Sequence, residues 1–171
     1  IKARSGSIQH TVEGGKSVMD IEDGQLNEFL RNPLPNKKYE VDNLMTFETD
    51  ELGRTVSVET NSSDLYKHMK NSKIEHGKID NGARNGLAEK YGVSTSTHDY
   101  GHLTRRELGG INEEINALPM KNEFQRSGSD WYEFEAKEIK ACENNQQVKS
   151  RMKIKYLENG KYEIEVEKII D

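Results

Sequence analysis

Residues able to do chemistry concentrate between positions 98 and 135. His98-Asp99-Tyr100-Gly101-His102-Leu103 sets a His beside a Gly, which lets the backbone turn tightly and present an imidazole at an element end. Histidine is the side chain best poised to move a proton near neutral pH. Amides and carboxylates follow. Asn116 lies in Ile115-Asn116-Ala117-Leu118-Pro119-Met120, Gln125 in Gln125-Arg126-Ser127-Gly128, and Glu135 closes Trp131-Tyr132-Glu133-Phe134-Glu135. A His, then amides, then a carboxylate on a helix form a kit for metal-assisted phosphodiester cleavage. The same residues also fit a loop carrying a surface His, and spacing alone does not separate the two.

The elements that must position these groups can be read from periodicity and turn chemistry. Residues 1–20 are rich in Gly, Ser and Lys and read as a linker. Asp23–Leu30 carries apolar residues at 26, 29 and 30, the pattern of a short amphipathic helix, which Pro33 and Pro35 end. Residues 39–47 read as one strand, Asp50-Glu51-Leu52-Gly53 as a turn, and Thr55–Glu59 as the returning strand. Arg54 then sits where that hairpin leaves its turn. Residues 62–71 and 83–91 read as helices, the second ended by Gly92. His68 and His76 read as surface residues. A longer helix runs from about 130 to Cys142, with Trp131, Phe134, Ile139 and Ala141 as core contributors and Glu133 and Glu138 as surface carboxylates. Val148–Leu157 alternates apolar residues with Lys and Arg. Asn159-Gly160 is a strong hairpin signal, and Tyr162–Ile169 returns with Glu outward.

The chain has 171 residues, enough for one domain with its own core, and charged residues make up 32% of it. Its 25 basic and 30 acidic residues leave a net charge of −5. That balance argues mildly against a nucleic-acid binder, although local charge decides such binding. Cys142 is the one cysteine, so no intramolecular disulfide and no Cys-based zinc site is possible within the chain. No stretch approaches the ~20 apolar residues of a membrane helix. The chain starts at Ile1 without Met, which suggests the C-terminal piece of a longer protein, with 1–37 as a lead-in and 38–171 as the functional domain.

Asp99-Tyr100-Gly101-His102-Leu103 resembles the D-x-G-H-L signature of the DNA/RNA non-specific endonucleases, a branch of the His-Me finger, or ββα-metal, nucleases. The likeness extends through Gly109-Gly110, through Asn116-Ala117-Leu118-Pro119, and through Trp131–Glu135, which is similar to W-x-x-x-E on the metal-bearing helix. Upstream, Thr49-Asp50-Glu51-Leu52-Gly53-Arg54 resembles a T-D-x-x-G-R element common in bacterial polymorphic toxins, including LXG types secreted by the type VII route. The resemblance spans roughly residues 38–170. It implies an α+β fold, with a central antiparallel sheet, flanking helices and an inserted ββα-metal motif.

The resemblance also assigns roles. His102 is the general base, Asp99 orients the loop or ring, and Arg54 contacts a phosphate near the site. Gln125 stands where relatives carry a metal-binding Asn, Glu135 holds a metal-bound water, and Asn116 is placed either with the ligands or as a brace of the loop. Asn122 is a fallback ligand. Arg105, Arg106 and Arg126 are candidates to bind phosphate; as neighbours, Arg105 and Arg106 point to different sides, which leaves room for at most one at the site. Tyr100 replaces an Arg frequent in relatives. The implied ion is Mg²⁺ and the implied substrate DNA, with RNA also possible. As a toxin the chain would be secreted, act in a target cell's cytoplasm, and be held inactive in the producer by an immunity protein, an acidic one that covers His102 and the arginines. Two alternatives stand beside this: an RNA-specific toxin on the same scaffold, and a catalytically impaired binding module, which Tyr100 and Gln125 favour.

Overall fold

The computed structural model describes residues 3–5, 28–41, 44–71, 81–111, 113–121 and 130–171. Among the described residues, eight strands and four helices follow one another as β1 (Ala3–Ser5), α1 (Glu28–Arg31), β2 (Lys38–Val41), β3 (Met45–Thr49), β4 (Thr55–Thr60), α2 (Ser62–Asn71), α3 (Asn81–Tyr91), β5 (His98–His102), β6 (Ala117–Lys121), α4 (Asp130–Glu143), β7 (Val148–Tyr156) and β8 (Tyr162–Ile170). Six strands form one antiparallel sheet in the order β1-β2-β3-β4-β7-β8, and β5 pairs with β6 in a second, two-stranded sheet. The fold is α+β.

Strand alternation builds the large sheet's two faces. In β7, Val148, Ser150, Met152 and Ile154 are buried, while Lys149, Arg151, Lys153 and Lys155 are exposed. Across the register Arg151 faces Glu167, Lys153 faces Glu165 and Lys155 faces Glu163. Each such exposed pair contributes roughly 0.2–1 kcal/mol. The hairpin turns where expected: Asn159 sits at φ 60° and Gly160 at φ 70°, the left-handed conformations that Asn and Gly accept most readily. The inner face joins Tyr39, Met45, Phe47, Val58 and Met152 to Leu65, Leu87, Ile115 and Leu118 in one apolar cluster.

Three expectations change. Residues 39–47 are a hairpin and not one strand; Leu44 N–H donates to the Val41 carbonyl at 2.9 Å, and β2 and β3 pair across that turn. Within the 1–20 lead-in, Ala3–Ser5 joins the sheet as its edge, against Tyr39–Val41. The Asp-Tyr-Gly-His segment, whose residues also fitted a loop, is itself a strand. Of the helix expected at 23–30, Glu28–Arg31 is helical and 23–27 lie outside the described residues. No described helix is long and apolar enough to cross a membrane.

Two hydrogen bonds fix the small sheet on the large one. Thr55 Oγ1 donates to the Ile115 carbonyl at 2.7 Å, and Tyr162 Oη donates to the Pro119 carbonyl at 2.7 Å. With α4 the small sheet makes a ββα unit on one side of the core, and α4 packs across β7.

Candidate active site

His102 ends β5. The strand's pleat puts His98, Tyr100 and His102 on one face and Asp99 and Gly101 on the other. Its pairing with β6, from His98↔Lys121 to His102↔Ala117, holds that orientation.

The chain then makes a closed loop over residues 103–116, and Asn116 is its lock. Asn116 is fully buried; its amide oxygen accepts from Thr104 N–H at 2.9 Å, and its amide nitrogen donates to the carbonyls of Thr104 at 3.0 Å and Ile111 at 2.8 Å. Gly110 is required where the loop closes, because a β-carbon there would lie 1.8 Å from the Thr104 carbonyl oxygen. Backbone runs extended at Arg105, φ −60° and ψ 142°, then enters a 3₁₀ turn at Arg106–Leu108. That change of conformation brings both Arg105 and Arg106 to the same cavity, where neighbours on a regular element would have diverged.

Helix α4 closes the cavity from the other side. The space is about 320 Å³, lined by Tyr100, Gly101 and His102 from β5, Arg105, Arg106 and Glu107 from the loop, and Trp131, Tyr132 and Glu135 from α4. Asp130 opens the helix, and positions 131, 132 and 135 share one side at i, i+3 and i+4 spacing. Arg105 Nε lies 2.8 Å from Glu107 Oε2 and 3.4 Å from Glu135 Oε2. Burial pushes the Glu135 carboxyl up to about 7, against the opposing pull of Arg105. Arg106 is exposed at the rim.

The donor set fits a divalent cation of the hard, oxygen-seeking kind. Glu135 offers a desolvated carboxyl group in a polar cavity with room for retained water. Among the described residues no group of three or more His, Cys, Asp or Glu gathers for a metal. Carboxylate oxygen with retained water suits a hard divalent cation, whereas zinc would call for several nitrogen or sulfur ligands.

The structure redistributes the other candidates. Asn116 is committed to loop backbone and braces it; it has no place among ion ligands. Asp99 is exposed on the face of β5 opposite His102 and is not among the residues that line the cavity. Arg54 is also absent from the lining. Its Nε bonds Asp50 Oδ2 at 2.8 Å and its guanidinium lies 4.2 Å from the Tyr156 ring centre, so it secures the β3–β4 turn. Gln125, Arg126 and Asn122 lie outside the described residues. His68 is half-buried, with Nε2 turned inward and no hydrogen-bond partner for it among the described residues, where a surface residue was expected.

Sequence reasoning passed over Tyr132 and Glu138. Tyr132 was legible, since i, i+3 spacing from Glu135 places both on one helix side. Glu138, read as a surface carboxylate, is 5% exposed. It accepts from Ser62 Oγ, and its Oε2 lies 3.4 Å from Lys168 Nζ. Lys168 also donates to the Phe134 carbonyl and sits over the Phe134 ring, so it grips α4 on both sides of Glu135.

A family model described as DNA/RNA non-specific endonuclease matches residues 35–169, a span that contains every residue lining the cavity.

Proposed function

The chain belongs to the DNA/RNA non-specific endonuclease family and is an endonuclease, a hydrolase acting on nucleic acids; from that premise we propose a site, a metal and a setting for it. The observation that carries the reading is one cavity shared by His102, the two arginines and Glu135. A water attacks phosphorus as His102 takes its proton on a ring nitrogen; the new bond joins water oxygen to phosphorus, and the bond to the 3′ oxygen breaks. Arg106, at the rim, receives the phosphate, and Arg105 adds positive charge deeper in the cavity. Glu135 and, on the approach to α4, Gln125 are the residues that would hold a divalent ion, Mg²⁺ by their oxygen donors. Once bound, that ion would neutralise the phosphoryl oxygens and the leaving oxygen.

We place the domain at the C-terminus of a bacterial toxin, delivered into a target cell and neutralised in its producer by an acidic immunity protein over the His102 cavity. The Thr49–Arg54 element supports this setting, as does the need to silence any active nuclease in the cell that makes it. The test is cleavage of supercoiled plasmid and of total RNA by the purified domain, with Mg²⁺ and with EDTA. Cutting that needs the ion supports the metal assignment, and the better substrate fixes the preference. Cutting in EDTA would remove the ion from the mechanism. Growth arrest on cytoplasmic expression, absent in His102→Ala, is the outcome the toxin setting requires; normal growth with active enzyme present would contradict it.

A further inference from the structure

The aromatic lining of the cavity is unequal. The chain has seven tyrosines. Tyr39, Tyr91, Tyr100, Tyr156 and Tyr162 pack in or against the main apolar cluster, and Tyr66 packs against the smaller one; Tyr132 belongs to neither. Trp131, beside it, is 7% exposed and stacks on Phe134 with ring centres 5.9 Å apart, so it serves the core. Tyr132 is half-buried and opens onto the cavity, with the Arg105 guanidinium carbon 5.6 Å from its ring centre. A large ring outside both apolar clusters of the described residues, with a cation over it and in the cavity that holds His102, has the chemistry of a stacking platform.

Resting on the nuclease reading, we propose that Tyr132 is a nucleobase subsite: one base next to the scissile phosphate stacks on its ring while Arg106 and His102 engage the phosphate. In a duplex both faces of every base are already covered by neighbours. A base reaches Tyr132 only from a single strand or from a nucleotide turned out of the helix. The enzyme therefore favours single-stranded or locally unpaired nucleic acid, with little regard to which base is stacked, because every base has a π face.

The test uses the His102→Ala protein, so that substrate survives, and fluorescence anisotropy with three short labelled probes: a single strand, the same strand with its bases removed at the central nucleotides, and its duplex. Tyr132→Leu keeps an apolar side chain on the helix and removes the ring; Tyr132→Phe keeps the ring. Tyr132→Leu is expected to weaken single-strand binding about tenfold, with Tyr132→Phe close to the parent. The abasic strand and the duplex are expected not to distinguish Tyr from Leu. An equal loss on the abasic strand or the duplex overturns the subsite, as does no loss on the single strand. Metal-dependent cutting by the wild-type chain alongside base-independent binding overturns the platform alone. No binding and no cutting overturns both the platform and the nuclease reading beneath it.

Discussion

Glu135 and Glu138 stand one helical turn apart on α4 and live in opposite surroundings. Glu138 is buried with its partners in place: Ser62 donates to one oxygen and Lys168 pairs with the other at 3.4 Å. Burial pulls the Lys168 amine below its usual range, and Glu138 draws it back up. Glu135 is also desolvated, but its cation, Arg105, is shared with Glu107 and sits closer to that residue. Its carboxyl is accordingly pushed up to about 7. One carboxylate is compensated and holds the helix. The other, held by Arg105 and Trp131, lines the cavity that also holds His102. A carboxyl that burial holds near neutral pH at a cavity is poised to exchange a proton or take a cation, a shift found more often at functional sites than elsewhere.

The largest expected separation between the two is in activity. Glu135→Gln should lower cleavage about a hundredfold and weaken divalent-ion binding in calorimetry, with thermal stability equal to the parent or higher. A large loss of stability would make Glu135 a second structural residue and erase the contrast. Glu138→Ala should do the reverse. It leaves Lys168 buried without its counter-ion and should cost about 3 kcal/mol in urea unfolding, while the folded fraction keeps its cleavage rate within a few-fold. Replacing both partners, Glu138→Leu with Lys168→Met, should recover most of that loss, because the buried charges go together. A double variant no more stable than Glu138→Ala would show that the pair itself, not the orphaned charge, carries the stability.

Arg54 sharpens the same comparison at smaller amplitude. Its bonds to Asp50 and its place over Tyr156 predict that Arg54→Ala costs about 1 kcal/mol of stability and leaves cleavage close to the parent. A hundredfold drop in cleavage with stability intact would return Arg54 to the site.

Local chemistry made much of this fold legible. Asn159-Gly160 announces its hairpin, alternation from Val148 to Tyr156 announces the half-buried strand, and the apolar spacing of α4 announces the helix. The small sheet was illegible for equally physical reasons. Its strands are short, β5 holds an Asp and a Gly, and β6 holds Pro119, so propensity argues against strand at each. They pair because the closed 103–116 loop returns the chain alongside itself, a constraint that becomes visible once Asn116 is seen gripping Thr104 and Ile111. Glu138 and Lys168 were illegible because each reads as solvated until its partner is in place. His102 came from the resemblance of an ordered set of segments. Its spacing by itself fitted a surface loop equally well.

The central claim is that His102 is the proton acceptor in this cavity. Wild type and His102→Ala, matched by circular dichroism and melting temperature, should be compared on supercoiled plasmid with Mg²⁺. The variant should fold as the parent does and cut at least about a hundredfold more slowly. Equal cutting by the two proteins would contradict it and move the chemistry away from this site.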